Sequence, residues 1–124
     1  MEMEKIKLHP AVTCKIDSSA IEISKKLKEA KDRRIFVVDN EQKLLGIITT
    51  TDLVYRALAK DTNVTAEDIM TKDIKSIDVS ESFEKALEIM NEIKSFSCPV
   101  TKDKKIMGLI SYHDIINLVI NPGE

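Results

Sequence analysis

A length of 124 residues, 43% apolar and 32% charged, fits one compact globular unit, at most of two small lobes. The 19 basic and 21 acidic residues leave a net charge of −2, and aromatics are only 4% with no tryptophan. That balance supplies neither an electrostatic footprint for nucleic acid nor a stacking platform for single strands, so nucleic acid is not an expected partner.

The opening "MEMEKIKLHP" has no apolar core of the kind a signal peptide needs, and no later apolar run approaches the ~18 residues of a membrane span. The expectation is a cytoplasmic protein with no membrane partner. His9 reads as an exposed loop residue set by Pro10. A short strand follows in "AVTCKI" (Ala11 to Ile16). "DSSAIE" then starts a helix in which Ser19 and Glu22 suit a capping box. Ala20, Ile23, Leu27 and Ala30 form one helical face, and the helix should end near Lys31. "RIFVVD" (Arg34 to Asp39) is an apolar strand, "DNEQK" a polar turn and "LLGII" a further strand. "TDLVYRALA" (Thr51 to Ala59) opens a second helix at a cluster of hydroxyls and an aspartate. The link "KDTNVTAEDIMTK" (Lys60 to Lys72) contains no Gly or Pro and is read as a structured connection.

The remainder repeats this plan. "IKSIDV" (Ile74 to Val79) is a strand and "SESFEK" a helix start. Phe83, Ala86, Met90 and Ile93 form the helix face, with an end near Lys94. "SCPVT" (Ser97 to Thr101) and "IMGLI" are strands. "HDIINLVI" (His113 to Ile120) is the last helix, stopped by Pro122 and Gly123. Gly46 and Gly108, Thr49 and Ser111, and Asp52 and Asp114 are each 62 residues apart, while the upstream helix faces are offset by 63. One residue fewer in the turn "KDKK" than in "DNEQK" accounts for the change. Strand–helix–strand–strand–helix, twice, predicts an α/β (α+β) fold of two repeats, residues 1–62 and 63–124, with the link in the second. One repeat is too small to cover its own faces, so the two should pack sheet to sheet with pseudo-two-fold symmetry.

The repeated G-h-h-[ST]-x-x-D plan, where h is apolar, admits two chemical readings. A glycine inside an apolar strand marks a bulge or a close approach by ligand or backbone, unless a helix merely packs on it. Thr49, Thr50, Thr51 and Asp52 fall where a helix begins, and hydroxyls and carboxylates there cap free N–H groups. Capping alone explains one such cluster, but a cap needs one acceptor and several accumulate here. A carboxylate at a strand end also accepts the vicinal hydroxyls of a ribose, and neighbouring N–H and hydroxyl groups suit phosphate oxygens. Ser111 and Asp114 follow the same logic. No catalytic residues are predicted: the chain lacks a Ser–His–Asp order with an oxyanion loop, and it lacks a P-loop. Cys14 and Cys98 lie outside any C-x-x-C spacing and read as reduced buried thiols, and with two separated histidines they are too few for an expected metal site.

The two G-h-h-[ST]-x-x-D endings, "DIMT" at Asp68 to Thr71 and "CPV" at Cys98 to Val100 resemble a tandem pair of cystathionine-β-synthase (CBS) domains. The likeness runs from Ala11 to Ile120. It implies a Bateman module with a ligand cleft between the repeats, commonly a homodimer. Such a module takes AMP, ADP, ATP or S-adenosylmethionine, needs no cofactor, and regulates a partner protein without being an enzyme. By the same resemblance Asp52 and Asp114 hold ribose, and Thr49 and Ser111 contact sugar or phosphate. Thr13 and Ser76 line the cleft, and Phe36, Val37 and Val38, with Pro99 and Val100, lie beside the adenine. Thr51 and His113 occupy matching places, and His113, Arg33 and Arg34 are candidate phosphate contacts. His113 also reads as a surface residue or a pH-sensitive group. Phe36 stands where the family commonly has proline, so its ring either stacks on a base or fills the core, and the core reading is favoured. The partly degenerate first cleft leaves a second function open, an interaction or dimerisation module without a small ligand.

Overall fold

The computed structural model describes residues 6–121. They form two compact units, one spanning Ala11–Ile74 and the other combining residues 6–10 with residues 75–121.

In the first unit β1 (Thr13–Lys15), α1 (Ala20–Ala30), β2 (Arg34–Val38) and β3 (Leu44–Thr49) come first. They are followed by α2 (Thr50–Leu53), a π-helical turn Val54–Leu58, α3 (Ala66–Ile69) and β4 (Thr71–Lys72). The sheet order is β1-β2-β3-β4, with β1 parallel to β2 and the other pairs antiparallel. Ile23 and Leu27 of α1 meet Ile35, Val37 and Ile48 of the sheet in one apolar cluster. Strands alternate faces, so Phe36 and Val38 project from the other side of β2 and are buried there.

The expected start of α1 is correct, with a variation. The Glu22 N–H donates to Ser19 Oγ at 3.2 Å, and Ser19 Oγ–H donates to the Glu22 carboxylate at 3.3 Å. Both long helices end where expected, at Lys31 (φ 53°, ψ 39°) and Lys94 (φ 53°, ψ 49°). That left-handed conformation lets the next amides reach back to the last turn, but it crowds a Cβ. Lys31→Gly and Lys94→Gly should each stabilise the chain by roughly 0.5–1 kcal/mol, read as a rise in thermal midpoint.

The helix expected over Thr51 to Ala59 is α-helical only as far as Leu53. The Ala59 N–H bonds back five residues to the Val54 carbonyl at 3.0 Å. This wider turn places Ala57 fully in the core, while Arg56 Nη1 donates to the Ile69 carbonyl at 3.0 Å. The link is structured, as expected, but it belongs to the first unit. Ala20 N–H donates to Val64 O, Ala66 N–H to Ser18 O and Glu67 N–H to Ile16 O, at 2.8–3.0 Å. β4 then pairs with β3.

The second unit contains β5 (Ile77–Asp78), α4 (Phe83–Ile93), β6 (Ser97–Lys102), β7 (Lys105–Ser111) and α5 (Tyr112–Ile120). β5 runs parallel to β6, and β6 antiparallel to β7. Phe83, Ala86 and Met90 are buried as predicted, while Ile93 is exposed and Ile89 takes its place inside. Residues 6–10 complete this unit, not the first repeat: His9 and Leu109 exchange backbone hydrogen bonds of 3.0 and 2.8 Å, and Ile6 and Leu8 pack on the core. Pro122 and Gly123, the expected helix stop, lie outside the described residues.

Each repeated glycine receives one of these added segments. A Cβ on Gly46 would lie 2.7 Å from the Thr71 carbonyl oxygen, and one on Gly108 would lie 2.6 Å from that of His9. Two of the alternatives open at the glycines are observed together: a close backbone approach, and a bulge-like register shift beside each, between Val37 and Val38 opposite Gly46 and between Val100 and Thr101 opposite Gly108. Both cysteines are buried. Burial pushes the Cys14 thiol up to about 11. The folded chain should therefore resist thiol reagents near neutral pH, and both cysteines should react once it is unfolded.

Candidate functional site

The two aspartates at the strand-to-helix junctions are placed by local hydrogen bonding. Thr49 ends β3 in extended conformation and caps α2. Its Oγ1 accepts the Asp52 N–H at 3.2 Å, while Asp52 Oδ2 accepts the Thr49 hydroxyl at 3.0 Å and the Thr49 N–H at 3.4 Å. Ser111 and Asp114 repeat this at the start of α5, with the corresponding contacts at 3.3, 2.9 and 2.7 Å. The capping reading is therefore correct for both clusters. Each box occupies Oδ2 and leaves Oδ1 outside it.

A third box shows how much this geometry means alone. Asp68 Oδ2 accepts the Thr65 N–H at 2.9 Å and the Thr65 hydroxyl at 3.1 Å at the start of α3. Those donors hold the Asp68 carboxyl below its usual value. Its contribution to stability is present above the unfolded-state carboxylate value and is lost as pH falls through the lowered one. Its helix has four residues and no strand leads into it. Box geometry marks a helix start, so any ligand role must rest on the oxygen outside the box and the strand end behind it.

The amides around the boxes are mostly engaged. Thr50 N–H donates to the Arg33 carbonyl at 2.8 Å and Tyr112 N–H to the Phe96 carbonyl at 3.0 Å. The Asp52 and Asp114 amides point to the caps. In each first turn only the N–H of Thr51 or His113 is left out of these contacts. A polyphosphate cradle would need more, whereas a carboxylate with a free oxygen can accept hydroxyl protons. Thr51 and His113 are exposed.

The other predicted site residues divide by burial. Thr13, on β1 opposite Phe36, and Ser76, just before β5, are partly exposed. Phe36 is 1% exposed, with the Arg34 guanidinium 5.4 Å from its ring centroid, which agrees with a core ring. Val37 and Val100 belong to the apolar clusters, so their side chains are committed to the core. Val38 and Pro99 are buried as well. The sequence reading missed His9. Its Nε2 lies 2.9 Å from Asp114 Oδ1, although the ring is 57% exposed. The contact spans 105 residues of chain, and no local pattern announces it. Among the described residues no group of His, Cys, Asp and Glu could hold a metal ion, and no helix is long and apolar enough to cross a membrane.

The CBS domain family model matches residues 4–59 and 66–121. Protein YlbB of Bacillus subtilis is 32% identical over 105 residues, covering 82% of this chain and 71% of YlbB. Inosine-5′-monophosphate dehydrogenase of Nitrosopumilus maritimus is 35% identical over 104 residues, but these are 81% of this chain and only 21% of the enzyme. Among solved structures, a CBS domain pair in complex with 5′-methylthioadenosine and S-adenosyl-L-methionine is 27% identical, with 98% of each chain covered and a TM-score of 0.74. The soluble part of a magnesium transporter shares the fold at TM-score 0.82 and 22% identity, with 99% of this chain and 49% of that chain covered. Two family matches spanning most of the sequence, over two mixed α/β units of the same order, establish that the chain belongs to the CBS domain family as a tandem CBS pair.

Proposed function

We propose that the chain is a regulatory module that binds an adenosine-containing ligand, with Asp52 and Asp114 accepting ribose hydroxyls. The observation that carries this reading is the repeated carboxylate at a strand end, with one oxygen held by its own cap and the other outside it. The shortage of free amides at the same helix starts favours a ligand recognised by its nucleoside part. The 27% identical pair that holds 5′-methylthioadenosine and S-adenosyl-L-methionine supports those two compounds as first candidates, ahead of AMP, ADP and ATP. Thr49, Ser111, Thr13 and Ser76 are the accompanying hydroxyls. Occupancy would be passed to a partner protein that the ligand state controls.

A thermal-shift titration against these five compounds, with guanosine nucleotides as controls, tests the reading. Ligand at 100 times its Kd should add about 2.7 kcal/mol, a rise of several degrees. A chain indifferent to all five would end it.

One observation favours a second reading, a self-associating module. Helix α5 buries none of its residues, and Ile116, Val119 and Ile120 are 49–75% exposed. A homodimer in solution that ignores every nucleotide would support interaction as the function.

A further inference from the structure

The two boxes differ by one contact. At Asp52 no described residue donates to Oδ1, whereas at Asp114 His9 Nε2 stands 2.9 Å from Oδ1. A carboxylate oxygen offers two lone pairs, and each box already directs two donors at Oδ2. Asp52 thus keeps both acceptor sites of Oδ1, while the imidazole takes one of the two at Asp114. Asp114 is 15% exposed, so a neighbour at that oxygen decides what else can reach it.

His9 holds this place because its backbone is clamped. Its N–H and C=O both bond Leu109, and Gly108 leaves the space for its carbonyl. The first unit has the same arrangement with a different side chain. Thr71 of β4 pairs with Ile47 of β3, and Gly46 makes room for the Thr71 carbonyl. The repeat offset of 62 relates the two pairs: His9 corresponds to Thr71, and Ile47 to Leu109. No hydrogen bond from the Thr71 side chain to Asp52 is found among the described residues, so the equivalent position reaches its aspartate in one unit only.

Resting on the ribose reading above, we propose that His9 is a positioning residue that makes the two sites unequal. It holds Asp114 Oδ1, so a vicinal diol must displace the imidazole to bind there, while the Asp52 site accepts a diol directly. The ligand then fills the Asp52 site first, and the Asp114 site responds at higher concentration. A chain with this design reads two ligand levels from two copies of one motif.

The test uses the full chain carrying Asp52→Asn, which leaves Asp114 as the acceptor. Calorimetric titration with 5′-methylthioadenosine and with its 2′-deoxy analogue compares His9, His9→Ala and His9→Gln. His9→Ala should tighten binding of the diol probe about two- to tenfold, the worth of one partly exposed hydrogen bond. The 2′-deoxy probe should not gain, and His9→Gln, which keeps a donor of similar reach, should restore the weaker affinity. Equal gains for both probes, or no gain, would overturn the proposal while leaving the ribose reading standing if Asp114→Asn still abolishes binding. Binding indifferent to Asp114→Asn, or no binding at this site in any variant, would refute the ribose role of Asp114 and the gate with it. The imidazole 15N signals of His9 give an independent check. They should shift on Asp114→Asn and on ligand addition, and a signal unmoved by either would also overturn the proposal.

Discussion

Replacing Asp52 and Asp114 together by asparagine should remove adenosyl binding while the chain stays folded. A hydroxyl donating to a charged oxygen is worth roughly 1.5–3 kcal/mol, so each site should weaken about 10- to 100-fold. The structural cost is smaller, because the threonine and serine caps still accept the helix amides and a weakened cap costs about 1 kcal/mol. Asp68→Asn is the matched control. It alters the same kind of box in a place where no strand end supplies a site. It should lower the thermal midpoint about as much as either single variant and leave binding untouched. Isothermal titration of the three proteins separates the effects. Undiminished affinity in the double variant would make both boxes caps and nothing more.

Alanine at Gly108 should be the most damaging single substitution in the second unit, with a loss of roughly 2–5 kcal/mol. Two costs combine. The new Cβ would sit 2.6 Å from the His9 carbonyl oxygen and 2.8 Å from Leu8 Cβ, and the backbone there has φ +151°. Relief requires the segment Leu8–His9 to lift from β7, which would also break the two bonds to Leu109 and the contact to Asp114. Gly46→Ala should cost less, about 1–3 kcal/mol, because it meets the Thr71 oxygen at 2.7 Å and the flexible Met70 side chain without a positive φ. Chemical denaturation of both variants gives the comparison. Equal losses would mean that the backbone conformation at Gly108 is not strained by a side chain.

These glycines also show what a sequence can and cannot carry. Their recurrence at one offset was legible, and so was the need for something to approach closely. The identity of the approaching group was not, because it comes from His9, 99 positions away, in one case and from the following link in the other. The link itself reads correctly as structured from its lack of Gly and Pro. Its assignment to the second repeat rested on sequence order, whereas edge pairing of β4 with β3 places it in the first unit.

What the sequence determined by itself is the local grammar. Helical faces such as Ala20, Ile23 and Leu27, the ends at Lys31 and Lys94, and the strand–helix order of each repeat all follow from periodicity and capping within a few residues. The boxes at Asp52 and Asp114 are of this kind, since each closes over three residues. Tertiary structure decided everything that depends on distant chain meeting at an edge. It widened the turn at Val54–Leu58 so that Ala57 is buried, and it brought residues 6–10 to β7. It also set His9 on Asp114, while among the described residues no side chain takes that place on Asp52. Local hydrogen bonds are chosen among neighbours, and their signals survive in a window of sequence. A strand edge accepts any segment whose backbone fits, so the partner is selected by packing across the whole unit, and two near-identical motifs become chemically different sites.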